Sequence, residues 1–110
     1  MDTIVISRHQ GFVDHCVRIG LTSPDTPVVA HATSSDVWGK HVISSGLPLE
    51  LAAVATTVTT IPLRLTPEMR GQELDADTVN QVAGDPVSFV VHVADTPCEI
   101  LDSSRVIQNV

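Results

Sequence analysis

The stretch from Val42 to Leu74 constrains the fold of this 110-residue chain more than any other part of it. It opens with a short apolar run, turns at Ser44-Ser45-Gly46, and passes through Leu47-Pro48 into the helix-favouring segment LELAAVA. Pro48 suits the first helical turn, where its missing N–H costs nothing. A second apolar run, Thr60 to Leu65, follows and is predicted to be a strand. Strand, turn, helix and strand form a βαβ unit, so the sequence predicts a parallel sheet.

The rest of the chain also alternates between segments typical of strands and of helices. Short apolar runs predict strands at Thr3–Ser7, Val28–His31 and Val87–Val93. Helices are predicted from about Gln10 to Ile19 and from Asp75 to Ala83, with a polar loop from Ala32 to Lys40. This alternation indicates one small Rossmann-like α/β domain of three layers with a mostly parallel sheet. Residues 1–84 form its predicted core, and residues 85–110 an acidic C-terminal extension with an edge strand.

Composition argues against several classes of protein. The net charge is −7, and residues 75–110 hold one basic against six acidic residues, whereas a duplex nucleic-acid partner needs a basic face. Two Phe, one Trp and no Tyr are too few for an aromatic platform that stacks bases. No apolar run approaches the ~18 residues of a membrane span, and no secretory leader is evident. Cys16 and Cys98 lack metal spacing and are interpreted as free thiols, so a cytoplasmic protein with no membrane partner is expected.

Polar segments follow three of the predicted strands. They are Arg8-His9, Ser44-Ser45-Gly46, and the stretch from Thr66 to Glu73. Ligands of parallel α/β sheets bind beyond the carboxyl ends of the strands. These segments are therefore expected to converge on one site although they are distant in sequence.

Arginine and histidine at such a site suit a phosphate ligand. The guanidinium fork of Arg8 can donate two hydrogen bonds to a phosphate, and His9 can act as an acid or a base near neutral pH. Arg70 offers a second cation and Glu73 a carboxylate. The alternative is that Arg8 and His9 are solvent-facing loop residues and that Glu73 merely pairs with Arg70.

The turn before the predicted central helix offers hydroxyls and backbone amides. Ser44 and Ser45 can donate to a phosphate or simply cap the helix, and the amides from Ser44 to Leu47 can point at an anion. His15, His31, His41 and His92 lack the two-histidine spacing of zinc sites, and no glycine-rich phosphate loop is present. Neither a metal nor a cofactor is therefore expected.

Several of these segments, in order, resemble a known family. They are Ser7-Arg8-His9-x-Gly11, Val28-Val29-Ala30-His31, Ser45-Gly46-Leu47-Pro48 with Leu51-Ala52-Ala53, and Arg70-Gly71-Gln72-Glu73-Leu74. With these segments the chain resembles a small CRISPR-associated Csx family, the sixteenth in the Csx numbering. The fold of that family is similar to the CARF domain. The chain departs from the family pattern at Ser7, Gln10 and Arg64, and relatives are expected to end soon after the position of Gly84.

The resemblance implies a ring nuclease of type III CRISPR systems, which degrades cyclic oligoadenylate, chiefly cyclic tetra-adenylate, and so ends the antiviral response. It implies catalytic residues Arg8, His9 and Arg70, and ligand-binding residues Ser7, Gly11, Ser44, Ser45, Gly46, Leu47 and Glu73. Cleavage needs no metal if the adjacent 2′-hydroxyl attacks the phosphorus. A ring with internal symmetry suits a homodimer. The alternatives are a binder that sequesters the same ring without cleaving it and a small interaction protein with no ligand.

Overall fold

A computed structural model describes residues 2–94 and contains a five-stranded sheet in the order β2-β1-β3-β4-β5. The strands are β1 (Thr3–Ile6), β2 (Val28–Val29), β3 (His41–Ser44), β4 (Thr57–Thr60) and β5 (Val87–Phe89). The helices are α1 (Gln10–Arg18), α2 (Ser34–Val37), α3 (Leu49–Val54) and α4 (Ala76–Val82). Strands β1 to β4 run parallel, and β5 pairs antiparallel with β4.

The two faces of the sheet are buried separately, because successive strand residues point to opposite sides. One apolar cluster contains Val5 and Ile43 together with Phe12 and Cys16 of α1 and Val79 of α4. The other cluster contains Ile4, Ile6, Val42 and Val58 together with Val37 of α2 and Ala52 of α3. The predicted three-layer α/β fold with a mostly parallel sheet is therefore confirmed.

Helix α2 lies within the segment predicted to be a loop. Two hydrogen bonds between Thr33 and Asp36 fix its start. The Thr33 backbone N–H donates to Asp36 Oδ2 at 2.7 Å, as in a capping box, and the Asp36 backbone N–H donates to the Thr33 carbonyl at 3.0 Å. The bond from the Thr33 backbone holds the pKa of Asp36 below its usual value. Val37 then turns inward and is fully buried. The composition of the segment concealed the helix because most of its residues are polar.

Strand β4 begins earlier than predicted, at Thr57 rather than Thr60, and ends before the apolar run does. Pro62 cannot donate to a strand ladder, so pairing does not continue through it. The chain instead crosses to the end of α4, where the Arg64 N–H donates to the Val82 carbonyl at 2.9 Å. This crossing carries Leu63 and Leu65 to the carboxyl edge of the sheet.

The edge strand predicted at Val87–Val93 is present but ends at Phe89. Its Ser88 hydroxyl lies 2.8 Å from the Thr59 hydroxyl of β4, which helps to fix the antiparallel register. Strand β2 is likewise shorter than predicted, because only Val28 and Val29 pair with β1. Most of the acidic extension, from residue 95 onward, lies outside the described residues. Within residues 2–94, no helix has the length and apolar character needed to cross a bilayer.

Candidate active site

A cleft of about 310 Å³ lies at the carboxyl edge of β1 and β3. Its polar side is formed by Ser7, Arg8, His9, Ser44, Ser45 and Gly46. The strand register explains this convergence: Ile6 pairs with Ser44, so the chain leaves both strands at the same level of the sheet. Two of the three polar segments expected at this edge therefore meet in one cleft.

The rest of the cleft lining is apolar. It is formed by Ile6, Ala30, Leu63, Leu65 and Leu74. The sequence reasoning named none of these five as site residues; Leu63 and Leu65 were missed because they were assigned to a strand. Pro62 is the signal that could have revealed the error, since a strand interrupted there releases the following residues from the sheet.

The serines that end β1 and β3 hold their own turns. Ser7 Oγ accepts the His9 backbone N–H at 3.1 Å, and Ser44 Oγ accepts the Gly46 backbone N–H at 3.1 Å. The buried Ser44 hydroxyl also donates to the Gly46 carbonyl at 2.8 Å. Such local bonds stabilise tight turns. Ser45 is exposed and forms no hydrogen bond with other residues in the 2–94 range, so its hydroxyl is the one available to a ligand.

Arg8 and His9 occupy different environments at the start of α1. The Arg8 side chain is exposed, and none of the ion pairs within residues 2–94 involves it. His9 is the N-cap residue of α1, and its carbonyl accepts the Phe12 N–H at 3.1 Å. The His9 Nδ1 atom is buried without a hydrogen bond and lies 3.5 Å from Glu73 Oε1. Glu73 therefore lies beside His9, whereas the sequence predicted it to bind the ligand, with pairing to Arg70 as the alternative.

Four of the predicted site residues do not line this cleft: Glu73, which contacts it only through His9, and Arg70, Gly11 and Leu47. Arg70 is exposed and lies outside the cleft lining. Gly11 lies under the chain at Leu74, where a Cβ atom would stand 2.0 Å from the Leu74 carbonyl oxygen. The absence of a side chain at Gly11 therefore permits the start of α1 to pack closely against Leu74. Leu47 lines a separate apolar groove beside α3 and β5.

The turn before α3 also differs from the prediction. Pro48 is the N-cap residue and the helix begins at Leu49, with no side chain capping it. The Gly46 N–H already bonds to Ser44, so at least one of the amides expected to face an anion is occupied. Among residues 2–94, no three His, Cys, Asp or Glu side chains converge as metal ligands do.

Comparison with known proteins gives one match. The family described as "Putative CRISPR-associated protein (Cas_VVA1548)" matches residues 4–92. The match extends beyond Gly84, where relatives were expected to end, and therefore includes β5. No curated protein and no solved structure matches the chain significantly.

Proposed function

Because the chain belongs to this CRISPR-associated family, we propose that it is a ring nuclease that binds and cleaves cyclic oligoadenylate, chiefly cyclic tetra-adenylate. The observation that carries the proposal is the mixed lining of the cleft. An arginine, a histidine and a free serine hydroxyl line the same cleft of about 310 Å³ as a group of aliphatic side chains. A nucleotide has the same division, with an anionic phosphate and a largely apolar base.

The cleft is suited to one nucleotide at a time. Small-molecule sites enclose about 300–1,000 Å³, and this one lies at the lower end of that range. The base would pack on Leu63 and Leu65, and the phosphate would face Arg8 and Ser45. A ring of four nucleotides exceeds one such cleft, so the proposal includes a homodimer in which the carboxyl edges of the two sheets share the ring.

The reaction proposed is attack of a ribose 2′-hydroxyl on the adjacent phosphorus. The bound ring must place that hydroxyl in line with the bond that breaks, and the cleft walls would hold it there. Charge accumulates on the phosphoryl oxygens in the transition state, and the Arg8 guanidinium would neutralise it. His9 would remove the proton from the attacking hydroxyl.

The second candidate function is a protein that sequesters the ring without cleaving it. The exposure of Arg8 favours this candidate, because a cation in water stabilises a transition state less than a desolvated one. A small interaction protein without a ligand is the third possibility. Thermal stabilisation by the ring without product would indicate sequestration, and no stabilisation would indicate the third.

The deciding experiment incubates the purified protein with radiolabelled cyclic tetra-adenylate in EDTA and separates the products. Linear products ending in a 2′,3′-cyclic phosphate are expected. Arg8→Ala should slow their formation about ten- to a hundredfold, the value of a lost charge-assisted hydrogen bond. Arg64→Ala is the matched control, because Arg64 is also exposed but does not line the cleft. Complete absence of product from the unmodified protein would contradict the proposed cleavage activity and leave sequestration of the ring as the candidate function.

A further inference from the structure

The contact between His9 and Glu73 joins two segments that backbone packing holds together. Gly11 follows His9 by two residues, and its α-carbon lies directly against the carbonyl of Leu74, the residue after Glu73. Asp75 continues that segment as the N-cap of α4, where its Oδ1 accepts the Thr78 N–H at 2.8 Å. The positions of His9 and Glu73 therefore follow from tight backbone packing between the starts of α1 and α4.

The two nitrogens of the His9 ring have different surroundings. Nδ1 is shut off from water, and Glu73 Oε1, at 3.5 Å, is the acceptor that the structure brings to it. Nε2 forms no hydrogen bond with any of residues 2–94 and, unlike Nδ1, is not a buried unpaired atom. Because His9 lines the cleft, Nε2 is the nitrogen available to a ligand there.

This asymmetry determines where the proton of a neutral imidazole resides. A buried N–H needs an acceptor, and a carboxylate beside Nδ1 stabilises the form with the proton on Nδ1. The lone pair then lies on Nε2, the accessible nitrogen of this cleft-lining residue. Without the carboxylate, nothing on the Nδ1 side would favour that form.

We propose that Glu73 is a positioning residue that holds the His9 imidazole with its proton on Nδ1, so that Nε2 is the base of the reaction. The inference rests on the proposed ring-nuclease function and deepens it. Glu73 itself touches neither ring nor phosphate; it acts through the histidine.

The step balances as follows. The O–H bond of the ribose 2′-hydroxyl breaks, and its proton passes to His9 Nε2. The bond from O2′ to phosphorus forms while the bond from phosphorus to O5′ breaks, which leaves a 2′,3′-cyclic phosphate. Solvent water protonates the departing 5′-oxygen, and the imidazolium returns its Nε2 proton to solvent.

The exposure of Glu73 makes this role separable from folding. Its side chain is 72% exposed, so water screens the attraction to His9 and the pair contributes little to stability. Removing the carboxylate should therefore leave the fold intact and change only the imidazole. Glu68 provides a matched control, since it is an exposed glutamate on the same segment that contacts neither His9 nor the cleft.

The first measurement is ¹⁵N NMR of the His9 ring in the free protein at a pH of about 8.5, where an ordinary imidazole is neutral. His9→Ala assigns the signals. The proton is expected mainly on Nδ1 in the unmodified protein, in Glu68→Ala, and in Glu73→Gln, whose amide oxygen still accepts. In Glu73→Ala it should move to Nε2. A proton on Nε2 in the unmodified protein would overturn the inference whatever the enzyme does.

The second measurement is the kinetics of ring cleavage by the same variants. Glu73→Ala should lower kcat about tenfold or more with KM unchanged, because proton transfer to a positioned base contributes about 10²–10⁴ in rate. Glu73→Gln should recover much of that loss, and Glu68→Ala should equal the unmodified protein. If the unmodified protein cleaves and Glu73→Ala cleaves equally well, the inference fails while the proposed function stands. If the unmodified protein binds the ring without cleaving it, the function fails together with any positioning role, and the NMR result still reports the pairing.

Discussion

Replacing Gly11 by alanine sets two effects of opposite sign against each other. In a helix, alanine is favoured over glycine by about 1 kcal/mol, so propensity alone predicts a stabilised protein. The added Cβ, however, would stand 2.0 Å from the Leu74 carbonyl oxygen and 2.5 Å from the Asp75 carbonyl carbon. Both are backbone atoms, so no side-chain rotation relieves the clash. The chain between the cleft and α4 must move by more than 1 Å to restore ordinary contact.

The clash should outweigh the gain in helix propensity, so the free energy of unfolding should fall. Overpacking costs about 1–3 kcal/mol. Because both clashing atoms belong to the backbone, we take the upper end, about 3 kcal/mol, and expect Gly11→Ala to be destabilised by about 2 kcal/mol after the gain in propensity. For a domain of this size, the melting temperature would fall by about 8–16 °C. Urea unfolding, followed by circular dichroism, measures the change directly, with the slope unchanged and the midpoint lowered.

A matched control is available at Gly46. No atom lies within 4 Å of the Cβ that alanine would add there, and the backbone is not in the left-handed region. Gly46→Ala should therefore change the free energy of unfolding by less than about 1 kcal/mol. If Gly11→Ala proved as stable as Gly46→Ala, the close packing of α1 against Leu74 would be wrong. The argument that this packing positions His9 and Glu73 would fall with it.

Three further predictions follow from the same structure. Arg8→Ala should lower ring binding or cleavage about ten- to a hundredfold, whereas His92→Ala, which alters an exposed residue outside the cleft, should have little effect; equal losses in a cleavage assay would contradict the site. Burial raises the pKa of the Cys16 thiol to about 11. In a Cys98→Ser background, Ellman's reagent at pH 8 should therefore find almost no reactive thiol until denaturant is added, and rapid labelling of the native protein would refute the burial. A chain ending at Gly84 lacks β5 and leaves the β4 edge unpaired, so it should aggregate in size-exclusion chromatography where the full chain does not; a soluble truncated protein would show that β5 is dispensable.

The homodimer is tested separately by sedimentation. The motivation is a cleft of about 310 Å³, which one nucleotide of the ring would fill. A sedimentation coefficient corresponding to two chains is expected, with the ring strengthening the association. A strict monomer, both alone and with saturating cyclic tetra-adenylate, would contradict the shared site.

Local pattern determined the layers of this protein and the level at which the chain leaves each central strand. Short β-branched runs at Thr3–Ser7 and His41–Ser44, each followed by a polar turn, specify buried parallel strands whose carboxyl ends coincide. The sequence alone therefore places Arg8, His9 and Ser45 at one edge of the sheet. Their neighbourhood follows from where the two parallel strands end, and the sequence marks each end by the change from a continuous apolar run to polar residues.

The tertiary structure decided which apolar side chains complete the cleft around Arg8, His9 and Ser45. The chain after β4 turns at Pro62 toward α4, and this long-range packing carries Leu63 and Leu65 to the cleft. It also brings Glu73 to His9, a pairing across most of the domain that no local rule anticipates, since Arg70 is far closer in sequence. Secondary structure follows from interactions between near neighbours, but the partner of a partly buried group depends on which distant segments the core brings together.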